Sequence, residues 1–510
     1  MDKFIKLKTN IIWQGIYQAV ILILGFVVPY VVLNTYGSEV NGLTSTIKQI
    51  ILLSSLASAG ITTAATYSLY KAVQEEDKSS IAGTLIAVKK AYRIITFITA
   101  VVCVFSSIFL AFFQKGSLNA GLVFVACFLT SLNTLIDLYY TATTSVFLTA
   151  TQDKHIISIG LLLAGIVMYG GQIIICLLHV HYIWLYSTSV IGTLAKVFFL
   201  HFFFKNRYTR YKLSDNETPS SGSFSMRSVG FAFANEVAHT VNVATQSIIV
   251  STLYGLSEAS VLSIYMMVVN ALSLIAQVVY TSFAPSFGAV VAEGNKQKIN
   301  DVFEIFQYTI FFINAFLYMC AVPLFIPFVK LYTLNVTDIS YTSELMMIES
   351  VLYGVFYAAR VPYNIVVSTN GIFKKSAIQT SLTCIATVGL SVFLTSIDYR
   401  FVLIGSILFY MINTFYQHFM LVKEIQGFEN KHFYRHFAVT ACGIGTMYLI
   451  SRILNFNKMI NEVTTWMVFA VIVSVFSFAV LTLLSWLIDK DSLKKTCFYL
   501  KVKMQRNTRN

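Results

Sequence analysis

The chain has 510 residues, of which 56% are hydrophobic and only 12% charged, with a formal net charge of +13 and a mean hydropathy of +0.71. A water-soluble protein of this length has nowhere to bury so much apolar surface, so the excess must face lipid. That points to an all-α, polytopic membrane protein, and it leaves no soluble domain to carry a nucleic-acid-binding or aqueous catalytic function.

The first residues, MDKFIKLKTNIIWQGIYQAVILILGFVVPYVVL, begin like a signal peptide, with a basic stretch before an apolar one. The apolar run is about 23 residues, longer than the roughly 7–15 of a signal core, and no small-residue cleavage site follows. It reads as a retained first helix. Apolar segments then recur near 46–70, 93–113, 118–142, 156–178, 182–204, 229–253, 259–284, 305–329, 342–368, 376–396, 401–422, 437–454 and 463–488. With the first segment, at 11–33, these make about 14 predicted spans.

Charge gives the predicted topology. Threading the spans from a cytoplasmic N-terminus puts about 28 Lys and Arg inside and about five outside, the asymmetry expected of an inner-membrane protein. Both termini are then cytoplasmic. After the second span, Ile81, Leu85, Val88 and Tyr92 recur at helical spacing with Lys78, Lys89 and Lys90 elsewhere on the circumference, which predicts a helix lying flat on the anionic inner surface.

A shift of 218 positions superposes residues 36–81 on 254–299 with 11 identities and no gap, beginning with Tyr36-Gly37 on Tyr254-Gly255. The chain therefore divides into an N-terminal six-helix lobe, 1–204, a polar cytoplasmic linker, 205–228, and a C-terminal six-helix lobe, 229–422. Two extra helices follow at 437–488, and a basic cytoplasmic tail at 489–510. Because six is even, the repeat is parallel, and the two lobes are expected to flank a central cleft.

Polar residues inside spans should line such a cleft rather than face hydrocarbon. The tenth span sets Glu349, Tyr353, Phe356, Arg360 and Asn364 on one stripe, and Arg360 lies in mid-span with no acid beside it. A charge there costs several kcal/mol, roughly 2.5–3.5 on insertion scales. Lys48 sits in the second span with Ser55 and Thr62 at sevenfold spacing. The fourth carries Asp137 on a face with Thr130, Asn133 and Thr141, the sixth carries Lys196 with Ser189 and Thr193, and the seventh gathers Glu236, His239, Asn242 and Gln246 within one arc.

Bland readings compete: Ser and Thr stripes commonly pack helices, Lys48 and Lys196 lie close enough to span ends to snorkel, and Glu349 stands three turns from Arg360 as a neutralising partner. The seven cysteines form neither CxxC pairs nor Cys/His clusters, so no disulfide framework and no metal site are expected. No catalytic motif and no sizeable extracytoplasmic loop occurs, so a transporter is expected rather than an enzyme.

The stretch LNTYGSEVNGLTSTIKQIILLSSLASAGITTAATYSLYKAVQEEDKSSIAG resembles the N-terminal region of Wzx-type polysaccharide flippases, and AARVPYNIVVSTNGIFKKSAIQTSL resembles the corresponding second-lobe segment. The resemblance implies the multidrug/oligosaccharidyl-lipid/polysaccharide (MOP) exporter fold and a bacterial inner-membrane flippase for undecaprenyl-diphosphate-linked oligosaccharide. It also implies membrane lipids and polysaccharide polymerase or export proteins as partners. On chemical grounds, Arg360 with Lys48, Lys196, Tyr353 and Asn364 would bind the substrate. Glu236, Asp137, His239 and Glu349 are the candidates for coupling to H⁺ or Na⁺, with no other cofactor. A lipid II flippase and a multidrug exporter of the same superfamily are the competing functions.

Overall fold

In a computed structural model of the chain, residues 2–74, 77–211, 227–370, 372–424 and 432–507 are described, and among them every regular element is helical. In chain order these are α1 (Asp2–Gln74), α2 (Lys78–Phe113), α3 (Ala120–Tyr140), α4 (Ala142–Ala150), α5 (Lys154–Leu177) and α6 (Trp184–Tyr211). Then follow α7 (Arg227–Leu253), α8 (Leu256–Ala292), α9 (Lys296–Tyr332), α10 (Glu344–Ala359), α11 (Val361–Asn370) and α12 (Phe373–Ile397). The last are α13 (Val402–Glu424), α14 (Phe433–Ile453), the single turn α15 (Phe456–Met459), α16 (Val463–Ile488) and α17 (Lys490–Asn507).

All 14 apolar stretches fall on helices. Ten described segments are long and apolar enough to cross a bilayer, and the chain is a multi-pass membrane protein. The stretches outside those ten include α7, which holds Glu236 and His239, and α10–α11, which is interrupted at Arg360. Large apolar side chains on the spans, Phe97, Phe105 and Phe112 on α2 and Val468, Val471 and Val475 on α16, are exposed, as lipid-facing residues must be.

Two compact units divide the chain, Met1–Val261 and Leu262–Asn510. In the first, α1 runs through both of the first two predicted spans and bends at Gly37, where φ is 82° and ψ −176°. Only a residue without Cβ takes that conformation at low cost. Around the bend, Leu43, Ile47, Val123, Cys127 and Tyr186 close one core.

A second core in this unit gathers Ala65, Leu69, Leu138 and Phe147, and it takes up Ile81, Leu85, Val88 and Tyr92. The amphipathic stretch predicted to lie on the membrane surface is therefore the buried first half of α2, continuous with the span that ends at Phe113. Its apolar stripe had protein to pack against, and Lys89 and Lys90 project away from it. In the second unit, Phe287, Phe303, Tyr363, Val366 and Phe433 form one core and Met319, Val439, Phe456 and Val473 another.

The repeat spacing reappears in the elements. Asp77 caps α2 by accepting from Ser80 N, and Asn295, 218 residues on, caps α9 by accepting from Lys298 N. Gly37 and Gly255, the same distance apart, both hold positive φ. The predicted linker lies, over residues 212–226, outside the described residues. Most of the predicted tail is the helix α17.

Candidate functional site

Arg360 sits at a break. Helix α10 starts at Ser343, whose hydroxyl accepts from Met346 N, and it stops at Ala359. Pro362 cannot donate an N–H to the carbonyl one turn back, which loosens the ladder at this point. The Arg360 N–H reaches Phe356 O at a stretched 3.3 Å, and the N–H groups of Tyr363 and Asn364 both turn to the Arg360 carbonyl, at 3.1 and 3.3 Å. The stripe predicted along one continuous helix is thus carried by two, with Arg360 at the joint.

Two tyrosines face the guanidinium, and a third packs against them. Its Cζ lies 5.3 Å from the centre of the Tyr410 ring and 5.9 Å from that of Tyr357. Tyr353 and Tyr357 are parallel to within 5°, and both stand edge-on to Tyr410, at 5.2 and 5.3 Å. Tyr353 and Tyr410 are buried. Each ring face over a half-buried cation is worth about 0.5–2 kcal/mol, which offsets part of the cost of holding the charge there.

The Arg360 Nε is buried without a hydrogen-bond acceptor, and no carboxylate pairs with the residue among the described residues. Glu349, the expected neutralising partner, is buried and makes no ion pair among them either. The site therefore presents a half-buried, uncompensated cation.

Close packing holds α10. A Cβ at Gly354 would fall 1.6 Å from the Tyr318 hydroxyl, so only glycine lets α10 lie this close to α9. One turn beyond Arg360, Asn364 Oδ1 takes a long 3.5 Å contact from Gln417 Nε2, and Thr380 donates to Asn413 Oδ1 at 3.1 Å nearby. On the other side of α10 runs an apolar groove of about 340 Å³, lined by Val351, Val355, Phe356, Phe437, Ile444 and Tyr448 among others.

The remaining predicted residues fall elsewhere. Lys196 and Asp137, expected in separate roles, form an ion pair at 2.6 Å inside the first unit. Thr141 donates to the same Asp137 oxygen at 2.6 Å, and Thr193 donates to Asn133 beside it. Lys48 is exposed and has no ion pair among the described residues. On α7, Glu236 is exposed and His239 half-buried, whereas Asn242 and Gln246 are buried, so the polar arc does not face one environment. No cluster of three or more metal-ligating side chains occurs among the described residues.

Sequence reasoning missed Tyr357, Tyr410 and Gln417. Tyr357 precedes Arg360 by three residues, a spacing that places it on the same helical face and was available to find it. Tyr410 and Gln417 come from α13, and no local signal links them to Arg360.

The geometry just described sits on a fold shared with solved transporters of the MOP superfamily. The chain is similar to the lipid II flippase MurJ in an inward closed conformation, with a TM-score of 0.65 and 14% identity over 93% of this chain and 99% of that one. It is also similar to a multidrug resistance MATE family transporter in an inward-facing conformation, with a TM-score of 0.60 and 12% identity over 79% of this chain and 95% of that one. An outward-facing conformation of a MATE family transporter gives a TM-score of 0.55 at 15% identity, over 84% and 95%. No protein-family model matches the chain. No curated protein matches it by sequence.

Proposed function

We propose that this protein is a flippase that moves polyprenyl-diphosphate-linked oligosaccharide from the cytoplasmic to the outer leaflet of a bacterial inner membrane. The observation that carries the reading is the guanidinium of Arg360, held against two tyrosine rings at a helix break with no carboxylate partner among the described residues. A diphosphate exposed to hydrocarbon costs far more than thermal energy, and a fixed cation lowers that cost. Arg suits the task because it stays protonated and its planar fork can bind two phosphate oxygens at once.

Tyr353 stacks on Tyr357, Asn364 lies one turn past Arg360, and the apolar groove beside α10 offers a dry wall to the lipid portion. Lys196 supports this chemistry less, since Asp137 already neutralises it. Lys48, exposed and without an ion pair, remains a second basic contact. The two six-helix repeats would alternate access to the substrate, with both termini cytoplasmic. Coupling to H⁺ or Na⁺ would fall to Glu349, Glu236, His239 or the Asp137–Lys196 pair, and polymerase or export proteins would receive the product.

Two observations favour a flippase over a drug exporter. The match to MurJ extends over 93% of the chain, and the half-buried charge of the site is positive, which suits anions rather than cationic drugs. A lipid II flippase is the second reading, on the strength of that same match.

The test is export of surface polymer in a strain lacking the chromosomal copy, paired with flipping of lipid-linked sugars by the reconstituted protein. Arg360→Ala should abolish both at unchanged protein abundance, and Arg360→Lys should restore only part. Tyr410→Phe should keep most activity, whereas Tyr410→Leu, which removes a ring face worth about 0.5–2 kcal/mol, should lose roughly three- to thirtyfold. Full export by a normally abundant Arg360→Ala variant rejects the proposal.

A further inference from the structure

A second cluster of charged side chains lies in the second unit, where α9, α14 and the α16–α17 joint meet, and the reading above makes no use of it. Asp489 caps α16 and is fully buried. Its Oδ1 lies 2.8 Å from His432 Nδ1 and its Oδ2 lies 2.9 Å from His436 Nε2. Across the His432 ring, Nε2 faces Glu304 Oε1 at 3.7 Å. Lys495 Nζ stands 2.6 Å from Asp301 and 2.6 Å from Glu304, and Ser492 donates to Glu304 at 3.1 Å. Arg435 and Asp491 approach to 3.8 Å at the rim, and Tyr308 stands edge-on to the His436 ring at 5.6 Å.

The two histidines meet different demands. A neutral imidazole has one N–H, while the imidazolium has two. His436 faces a single carboxylate, with the rings of Tyr308 and Phe311 around it, and although Asp489 Oδ2 lies 2.9 Å away the two are not aligned as a hydrogen bond. His432 has a carboxylate on each side, Asp489 on α16's end and Glu304 on α9. If neutral, it serves one of them and turns a lone pair toward the other; charged, it serves both. The surroundings point the same way. Asp301, Glu304 and Asp489 bring three negative charges against one from Lys495, since Arg435 and Asp491 cancel, and a proton on His432 relieves part of that excess.

We propose that His432 is a proton-operated clasp, fastening α14 and the α16–α17 joint to α9 when its imidazole is charged and loosening them when it is neutral. The clasp bears on α14 directly, and Phe437, one residue past His436, lines the apolar groove. Protonation at the end of α14 would thereby set the position of a groove wall.

Hydrogen–deuterium exchange of the full-length protein in lipid nanodiscs tests this, read at about pH 8 and about pH 6 and corrected for intrinsic exchange. In the unaltered protein, protection of residues 489–499 and of the first turn of α14 should rise at the lower pH, the direction linkage requires when the clasped state binds the extra proton. His432→Gln should remove the rise, and His436→Gln should keep it. A flat response in the unaltered protein, or a full rise in His432→Gln, overturns the clasp. If His432→Gln fails to fold, the imidazole ¹⁵N shifts of His432 in the intact protein decide instead. A ring protonated at both nitrogens at pH 6 is expected, and a neutral ring there rejects the proposal.

Discussion

Breaking the Asp137–Lys196 pair should harm the protein, and removing both charges together should largely repair it. Lys196 Nζ lies 2.6 Å from Asp137 Oδ1, with the lysine side chain 8% exposed and the aspartate 40%. Breaking a fully buried ion pair costs about 3–5 kcal/mol because one charge is left behind. The exposure of Asp137 lowers this to about 1–3 kcal/mol here. The two single variants should differ. Lys196→Leu leaves a carboxylate that still accepts from Thr141 and has access to solvent, whereas Asp137→Leu strands a buried ammonium within a span. Asp137→Leu should therefore be the worse of the two.

The double variant has neither charge, and it should recover to within about 1 kcal/mol of the unaltered protein. Apparent melting of the purified protein in detergent, followed by size exclusion after heating, reads these differences at about 2–4 °C per kcal/mol. A double variant that melts as low as Asp137→Leu alone refutes the pairing argument. Export activity adds a second reading: a structural pair predicts that the double variant is active, and a pair that carries a coupling ion predicts that it is stable but inactive.

Two further outcomes follow from close contacts and from charge. Gly354→Ala drives a methyl group into the Tyr318 hydroxyl at 1.6 Å and should destabilise the protein by about 1–3 kcal/mol, visible as a lower apparent melting temperature, with Tyr318→Leu in the same chain recovering part of the loss. At Asp489, burial alone would push the carboxyl upward, but the contacts of His436 and His432 prevail and hold it below the usual carboxylate range. Its contribution is thus present above the unfolded value, about 3.9, and is lost as pH falls through the lower folded value. Asp489→Asn should be less stable than the unaltered protein at neutral pH, and melting curves of the two should converge in strong acid.

Much of the scaffold was legible because the bilayer imposes a simple rule on length and polarity. All 14 apolar stretches proved helical, and the weak identity between 36–81 and 254–299 is matched by paired caps at Asp77 and Asn295. What escaped notice depended on contacts distant in sequence. Lys196 and Asp137 lie 59 residues apart, and nothing in either span announces that one answers the other. Tyr410 reaches Arg360 from another helix. The surface placement expected for Ile81 to Tyr92 failed because an amphipathic stripe looks alike whether it meets lipid or protein. The break at Arg360 was readable, since Pro362 follows two residues later, but an apolar run of span length concealed it.

The glycines at 37 and 255 bear on how such a chain can change over time. Each occupies a backbone conformation that a side chain would strain, and at 255 an added methyl would also meet the Lys115 carbonyl at 2.9 Å. Elsewhere between 36–81 and 254–299 most positions differ, with 11 identities in all. At these two points drift is closed off by stereochemistry, so both stretches keep glycine where any side chain would strain the backbone.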